Sequence, residues 1–108
     1  MSYSVHTRWG AAEIAPSIAR MREILKELDP ADPEHPDVSL THESGWTLSI
    51  FESGLVVWED IEADENKPRH MIDVDRERAL SMWLQLSRGD LAAIEQQPWQ
   101  PGAFPPID

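Results

Sequence analysis

Acidic side chains alternate along one stretch of the chain in a spacing that could bind a cation. Asp60, Glu62, Asp64 and Asn66 occupy every second position, like the first ligands of a calcium-binding loop. Such a loop also needs a glycine at its sixth position and a bidentate glutamate at its twelfth, where this chain has Glu65 and Met71. The pattern therefore does not predict a calcium site.

The histidines offer little for a metal or catalytic site. His6, His35, His42 and His70 lack the HxH and HxxxH spacings of zinc ligands. The chain has no cysteine, no GxSxG motif and no glycine-rich phosphate loop. We therefore expect no catalytic residue, no metal and no cofactor. The alternative is a small enzyme or accessory subunit with a carboxylate–histidine site that involves His42 or His70.

The charge of the chain is strongly acidic and unevenly distributed. Its 108 residues include 20 Asp and Glu against 9 Lys and Arg, for a net charge of −11. Every basic residue lies within 8–26 or 67–88, while 27–66 contains twelve acids and no Lys or Arg. Nucleic acids and anionic membranes require cationic surfaces, so neither is expected as a ligand. The charge favours a basic protein partner instead.

The acids are densest directly after an apolar strand. Trp58 ends that strand, and it is followed by Glu59, Asp60, Glu62, Asp64 and Glu65. An aromatic side chain beside carboxylates is typical of an interface anchor surrounded by steering charges. We predict that Trp58 anchors the partner and that these acids contact it electrostatically. The other interpretation is a solvated acidic loop that only aids solubility.

The patterns around these residues predict a single α+β domain over residues 1–108. Apolar residues three and four apart predict an N-terminal helix at 16–28, which Asp29-Pro30 ends. A period of two then predicts a four-stranded antiparallel meander, with strands at about 37–43, 46–52, 55–61 and 69–74.

Two further helices, at 76–88 and 90–97, and a proline-rich tail complete the predicted domain. We expect the helices to cover one face of the sheet and to leave the other partly open. The N-terminus lacks the apolar core of a signal peptide, and no run of about eighteen apolar residues occurs. We therefore expect neither export by a signal peptide nor a membrane span.

Two segments give the chain a resemblance to a known group of proteins. The first, GWTLSIFESGLVVWED, is a hydrophobic meander that ends in acids. The second, VDRERALSMWLQLSRGDLAAIEQQPW, contains a helix of the form E-x-A-L-x-x-W-x-x-L, then G-D-L and a late tryptophan. In architecture this resembles the immunity proteins of bacterial polymorphic-toxin and contact-dependent inhibition systems.

The resemblance implies a cytoplasmic, non-enzymatic inhibitor. Such a protein binds one cognate toxin domain with a basic surface, in many cases a nuclease, and occludes its active site. The resemblance carries no catalytic motif. We expect a monomer or a weak homodimer.

Overall fold

The structure is a computed structural model that describes residues 2–63 and 65–105. The elements are β1 (Tyr3–His6), β2 (Ala12–Ile14), α1 (Ile18–Lys26), β3 (Asp37–His42), β4 (Trp46–Phe51), β5 (Val56–Asp60), β6 (Arg69–Met71), α2 (Arg76–Ser87), α3 (Leu91–Glu95) and β7 (Gln100–Pro101). The seven strands form one sheet in the order β2-β1-β3-β4-β5-β6-β7. Every neighbouring pair is antiparallel.

The prediction of an N-terminal helix followed by a four-stranded meander is wrong. Two strands precede α1, and β7 extends the opposite edge, so the sheet has seven strands. β1 has only one fully buried position and β2 has none, so neither shows a clear apolar alternation. β7 contains only two residues, one of them Pro101, which a sheet tolerates at its edge. These strands depend on pairing with longer neighbours.

Polar caps set the start of each helix. The Ser17 hydroxyl accepts the N–H of Arg20 at 3.1 Å, so α1 begins at Ile18 and not at the predicted residue 16. Asp75 caps α2 in the same way, accepting the N–H of Arg78 at 2.8 Å. Each cap satisfies an amide that would otherwise lack a partner.

The strand register divides the sheet into a covered face and an open face. Val5 pairs with Leu40, Leu40 with Leu48, and Leu48 with Trp58. Directly paired residues point to the same side of the sheet, and these four are buried against α1 and α2. The indole N–H of Trp83 in α2 donates to the Leu48 carbonyl at 3.0 Å, which fixes α2 on this face.

The open face carries small hydroxyl side chains. Ser4, Ser39, Thr41, Thr47 and Ser49 lie on it by register, and the Thr41 and Thr47 hydroxyls are 3.0 Å apart. The described residues after β7 cover part of this face, from His70 in β6 to Phe51 at the end of β4, which Phe104 meets edge-on at 6.0 Å. Among the described residues, no helix has the length and apolar character needed to cross a bilayer.

Candidate functional site

The acidic connection, which we define as residues 59–66, has a fixed geometry. The Asp60 carboxylate accepts the N–H of Glu62 at 3.0 Å and the side-chain amide of Asn66 at 3.1 Å. The N–H of Ile61 donates to the Gly45 carbonyl at 3.1 Å. Asp60 thus organises the connection, and the bond to Gly45 holds it against the turn between β3 and β4.

The side chains of the acidic connection differ in exposure. Glu62 and Glu65 are exposed, and Ile61 between β5 and the loop is 59% exposed. Glu59 is half-buried and lies on the open face, because it pairs with Thr47. Asp64, which was predicted to contact the partner, lies outside the described residues. The described acids therefore surround one exposed apolar side chain.

Trp58 does not lie on this surface. It is 0% exposed, and its ring stacks on Trp46 at 4.5 Å and on Trp99 at 6.2 Å between centroids. Its indole N–H donates to the Glu95 carboxylate at 2.8 Å. Because the folded chain encloses Trp58, this side chain is not available as the predicted anchor. The exposed apolar neighbour of the acids is Ile61.

The carboxylate of Glu95 belongs to the packing of these tryptophans. Arg69 binds both of its oxygens at 2.6 Å. The hydrogen bond from Arg69 lowers the pKa of Glu95, the indole of Trp58 adds to this effect, and burial opposes it. This ion pair joins β6 to α3 on the covered face, so it stabilises the fold and is not part of the acidic connection.

A shallow depression of about 270 Å³ lies beside the acidic connection on the open face. Ile61 and Glu62 line one side of it, and Ile14, which is 77% exposed, lines the other. Gly45 also lines it, with a φ of +94°, and an added Cβ there would approach the carboxylates of Asp60 and Glu62 to 2.9 and 2.8 Å. Glycine is therefore required for the acids to lie against this turn.

The ion pairs of the described residues lie elsewhere. They join Arg8 to Glu52, Arg20 to Glu13, Glu23 and Glu27, Arg22 to Glu77, Arg69 to Glu95, Arg76 to Asp29, and His35 to Asp32. Three of these pairs, Arg20–Glu13, Arg22–Glu77 and Arg69–Glu95, connect a helix to another helix or to the sheet. No described acid of the acidic connection takes part in one, and the nearest base along the chain is Lys67, which lines a depression with Glu65 but does not pair with it.

The structure does not bring His42 and His70 together. His42 lies on the covered face, where its Nδ1 accepts the N–H of Ser44 at 3.1 Å. His70 lies on the opposite face, where its Nδ1–H donates to the Gly102 carbonyl at 2.8 Å. Both rings are buried, and each Nε2 lacks a partner among the described residues. Neither ring hydrogen-bonds to a carboxylate, as the alternative site would require.

A second cluster, not predicted from the sequence, surrounds the turn between β1 and β2. Trp9 at this turn is 61% exposed, and its ring lies 5.1 Å from that of His35. Trp9, His6, His35 and Asp37 line a polar depression of about 360 Å³. Burial raises the pKa of Asp37. The sequence signal was an isolated Trp-Gly pair before a weak strand, which does not by itself indicate a site.

Arg8 supports this turn from inside the protein. Its guanidinium donates to the carbonyls of Glu27, Pro30 and His35 and to the Glu52 carboxylate, while its side chain is 1% exposed. It therefore ties the turn to the end of α1 and to the segment between α1 and β3, which contains Pro30 and His35. Arg8 also lies 5.5 Å from the centre of the Trp9 ring.

No protein-family model, curated protein or solved structure matches this chain. Within residues 2–63 and 65–105, no group of three or more histidine or acidic side chains comes together that could hold a metal ion.

Proposed function

We propose that this chain is a non-enzymatic inhibitor that binds a protein partner with a basic surface. The partner would be a toxin domain, and the chain would act as its immunity protein in the cytoplasm by occluding its active site. The observation that carries the proposal is the acidic connection, whose described acids have no basic partner within the described chain and surround the exposed Ile61.

Physical reasons favour a partner over a loop that only aids solubility. An apolar side chain such as Ile61 is poorly placed in water, whereas it gains from burial in an interface. Uncompensated carboxylates around it attract a basic surface at long range and repel acidic ones. The Asp60 hydrogen bonds and the bond to Gly45 hold this arrangement before a partner arrives, which reduces the entropy lost on binding.

Capture from a native lysate tests the proposal. The immobilised chain should retain one basic protein at about 20 mM NaCl and release it near 500 mM, because salt screens the contact. The variant Glu62→Lys/Glu65→Lys should retain at least about tenfold less of it, since each reversal turns attraction into repulsion. Mass spectrometry identifies the captured protein and quantifies it.

A second double variant tests whether the position of the acids or only the total charge of the chain determines capture. Glu23→Lys/Glu77→Lys changes the total charge by the same amount. Its two residues lie in α1 and α2, with side chains 69% and 73% exposed. It should keep wild-type capture. Equal losses in the two double variants would show that total charge, and not the acidic connection, attracts the protein. Absence of any basic protein at low salt would overturn the proposed function itself.

A further inference from the structure

The depression beside the acidic connection continues along the open face to Trp9. Ser4 and Thr41, which form a cross-strand pair, line the first depression. His6 and Ser39, the pair two residues further along the same strands, line the second. Because alternate residues of a strand lie about 7 Å apart on one face, the two depressions adjoin. Together they form a groove along β1 and β3, which we call the open groove.

The ends of the open groove carry large exposed side chains, and its floor carries small ones. Ile14 and Ile61 stand at one end and Trp9 at the other. Between them the floor consists of the small side chains of Ser4, Ser39 and Thr41, beside the larger, exposed His6. From the row of Ser4 to that of His6 is two residues, or about 7 Å, and the turn that carries Trp9 follows directly.

The solvent-accessible Asp and Glu side chains give the lining of the open groove a negative charge. Glu43 and Glu62 lie at the isoleucine end, and Glu34 and Asp37 lie at the Trp9 end. The one basic side chain among the lining residues is Arg8, which is 1% exposed and donates to groups inside the protein. A cation entering the groove therefore meets carboxylates and an indole ring whose existing cationic neighbour is the buried Arg8, 5.5 Å from the ring centre.

We propose that the open groove binds an extended segment of the protein partner and places an arginine or lysine side chain against Trp9 and Asp37. This inference rests on the proposed function and adds the mode of binding to it. The segment lies along β1 and β3, its apolar residues contact Ile14 and Ile61, and its cation occupies the other end. Burial disfavours the charged form of Asp37, so a cation beside it restores a favourable environment for the carboxylate.

A blocked arginine peptide tests the open groove directly. Acetyl-penta-arginine amide is titrated at low salt into the full-length, ¹⁵N-labelled chain. The Trp9 indole N–H and the amides of His6, Ser39 and Thr41 should shift with one shared Kd. Trp9→Ala should weaken binding roughly two- to fivefold, the range of an exposed cation–π contact. Ile18→Ala, which truncates a side chain 50% exposed on α1, should leave the Kd unchanged.

A second variant tests the groove without changing charge or Trp9. Ser39→Tyr places a ring on the groove floor at a strand position that accepts aromatic residues, and it should abolish the shifts at Trp9. Shifts confined to the acidic connection, shifts spread evenly over all acids, or no shifts at all would overturn the open groove. So would wild-type affinity in Ser39→Tyr.

Lysate capture by Glu62→Lys/Glu65→Lys reports on the proposed function separately, since a partner can be captured through the acidic connection without occupying the groove.

Discussion

The charge of Arg8 is placed where water does not reach it. Its side chain is 1% exposed and binds three carbonyls and the Glu52 carboxylate. Arg8→Met should cost about 3 kcal/mol or more of unfolding free energy, because three carbonyls lose their donor and the Glu52 carboxylate, which keeps the N–H of Asp32, loses its cation. Arg8→Lys should recover only part of this, since an ammonium cannot reproduce the planar fork. Urea unfolding measures both.

An exposed arginine provides the comparison for Arg8. Arg88→Met at the end of α2 removes the same charge from an exposed position and should change the free energy by less than about 0.5 kcal/mol. If Arg8→Met were equally mild, the turn between β1 and β2 would be held by its own pairing and not by Arg8.

Glu95 contributes stability that depends on pH. Its pKa is lowered mainly by the hydrogen bond from Arg69, so its contribution is present above the unfolded pKa and is lost as pH falls through the folded pKa. Glu95→Gln should cost about 1 kcal/mol or less at about pH 7, given the screening of a side chain that is 38% exposed.

That cost should decrease in acid. As pH falls through the lowered folded pKa of Glu95, the urea midpoints of wild type and Glu95→Gln should converge, and their difference near pH 3 should be smaller than at about pH 7. The Trp58 indole can still donate to the glutamine oxygen, so its packing is retained. A cost that stays constant between the two pH values would mean that Glu95 acts through shape and not through charge.

At the scale of elements, the tail acts as a cover for β6. β7 pairs with β6, the N–H of Gly102 donates to the Pro68 carbonyl at 3.1 Å, and Phe104 meets Phe51 edge-on at 6.0 Å. A chain that ends at Trp99 should lose about 1–3 kcal/mol, because these few hydrogen bonds are worth about 1 kcal/mol each. Thermal unfolding measures the loss.

The truncated chain should also expose His70, which is 1% exposed under the tail. Its Nδ1–H, released from the Gly102 carbonyl, should then exchange with solvent faster than in the full-length chain. A chain that ends at Pro105 retains all the described contacts of the tail and should behave as wild type. If the chain ending at Trp99 left His70 protected, the cover would come from the sheet itself.

The sequence predicted the elements that carry their own periodicity and missed those that depend on neighbours. Residues 38–42 and 46–50 alternate clearly and lie in β3 and β4, whereas β1 pairs with β3 and β2 pairs only with β1. Likewise, alternation marked Val57 and Trp58 as apolar on both faces but could not tell which face the helices cover. The helices cover Trp58, so the exposed apolar residue of the acidic connection is Ile61.

At the scale of the whole molecule, the chain separates its charges by location. Five described arginines, Arg8, Arg20, Arg22, Arg69 and Arg76, pair with acids, while the described acids of the acidic connection form no ion pair. Like charges a few ångströms apart repel by about 1 kcal/mol per pair in water, and a large net charge opposes compactness. The fold therefore bears a cost at the surface where the partner is proposed to bind.

Removing two of these repelling charges should therefore raise the stability of the fold and weaken the binding of the partner. At about 20 mM NaCl, Glu62→Gln/Glu65→Gln should raise Tm by about 2–4 °C, since it relieves repulsion without removing a bond of Asp60. The same variant should capture less of the basic partner, and both effects should shrink near 500 mM NaCl as screening increases. A lower Tm would mean that these carboxylates stabilise the connection itself. Their charge would then have a structural reason, and the acids would no longer point to a partner.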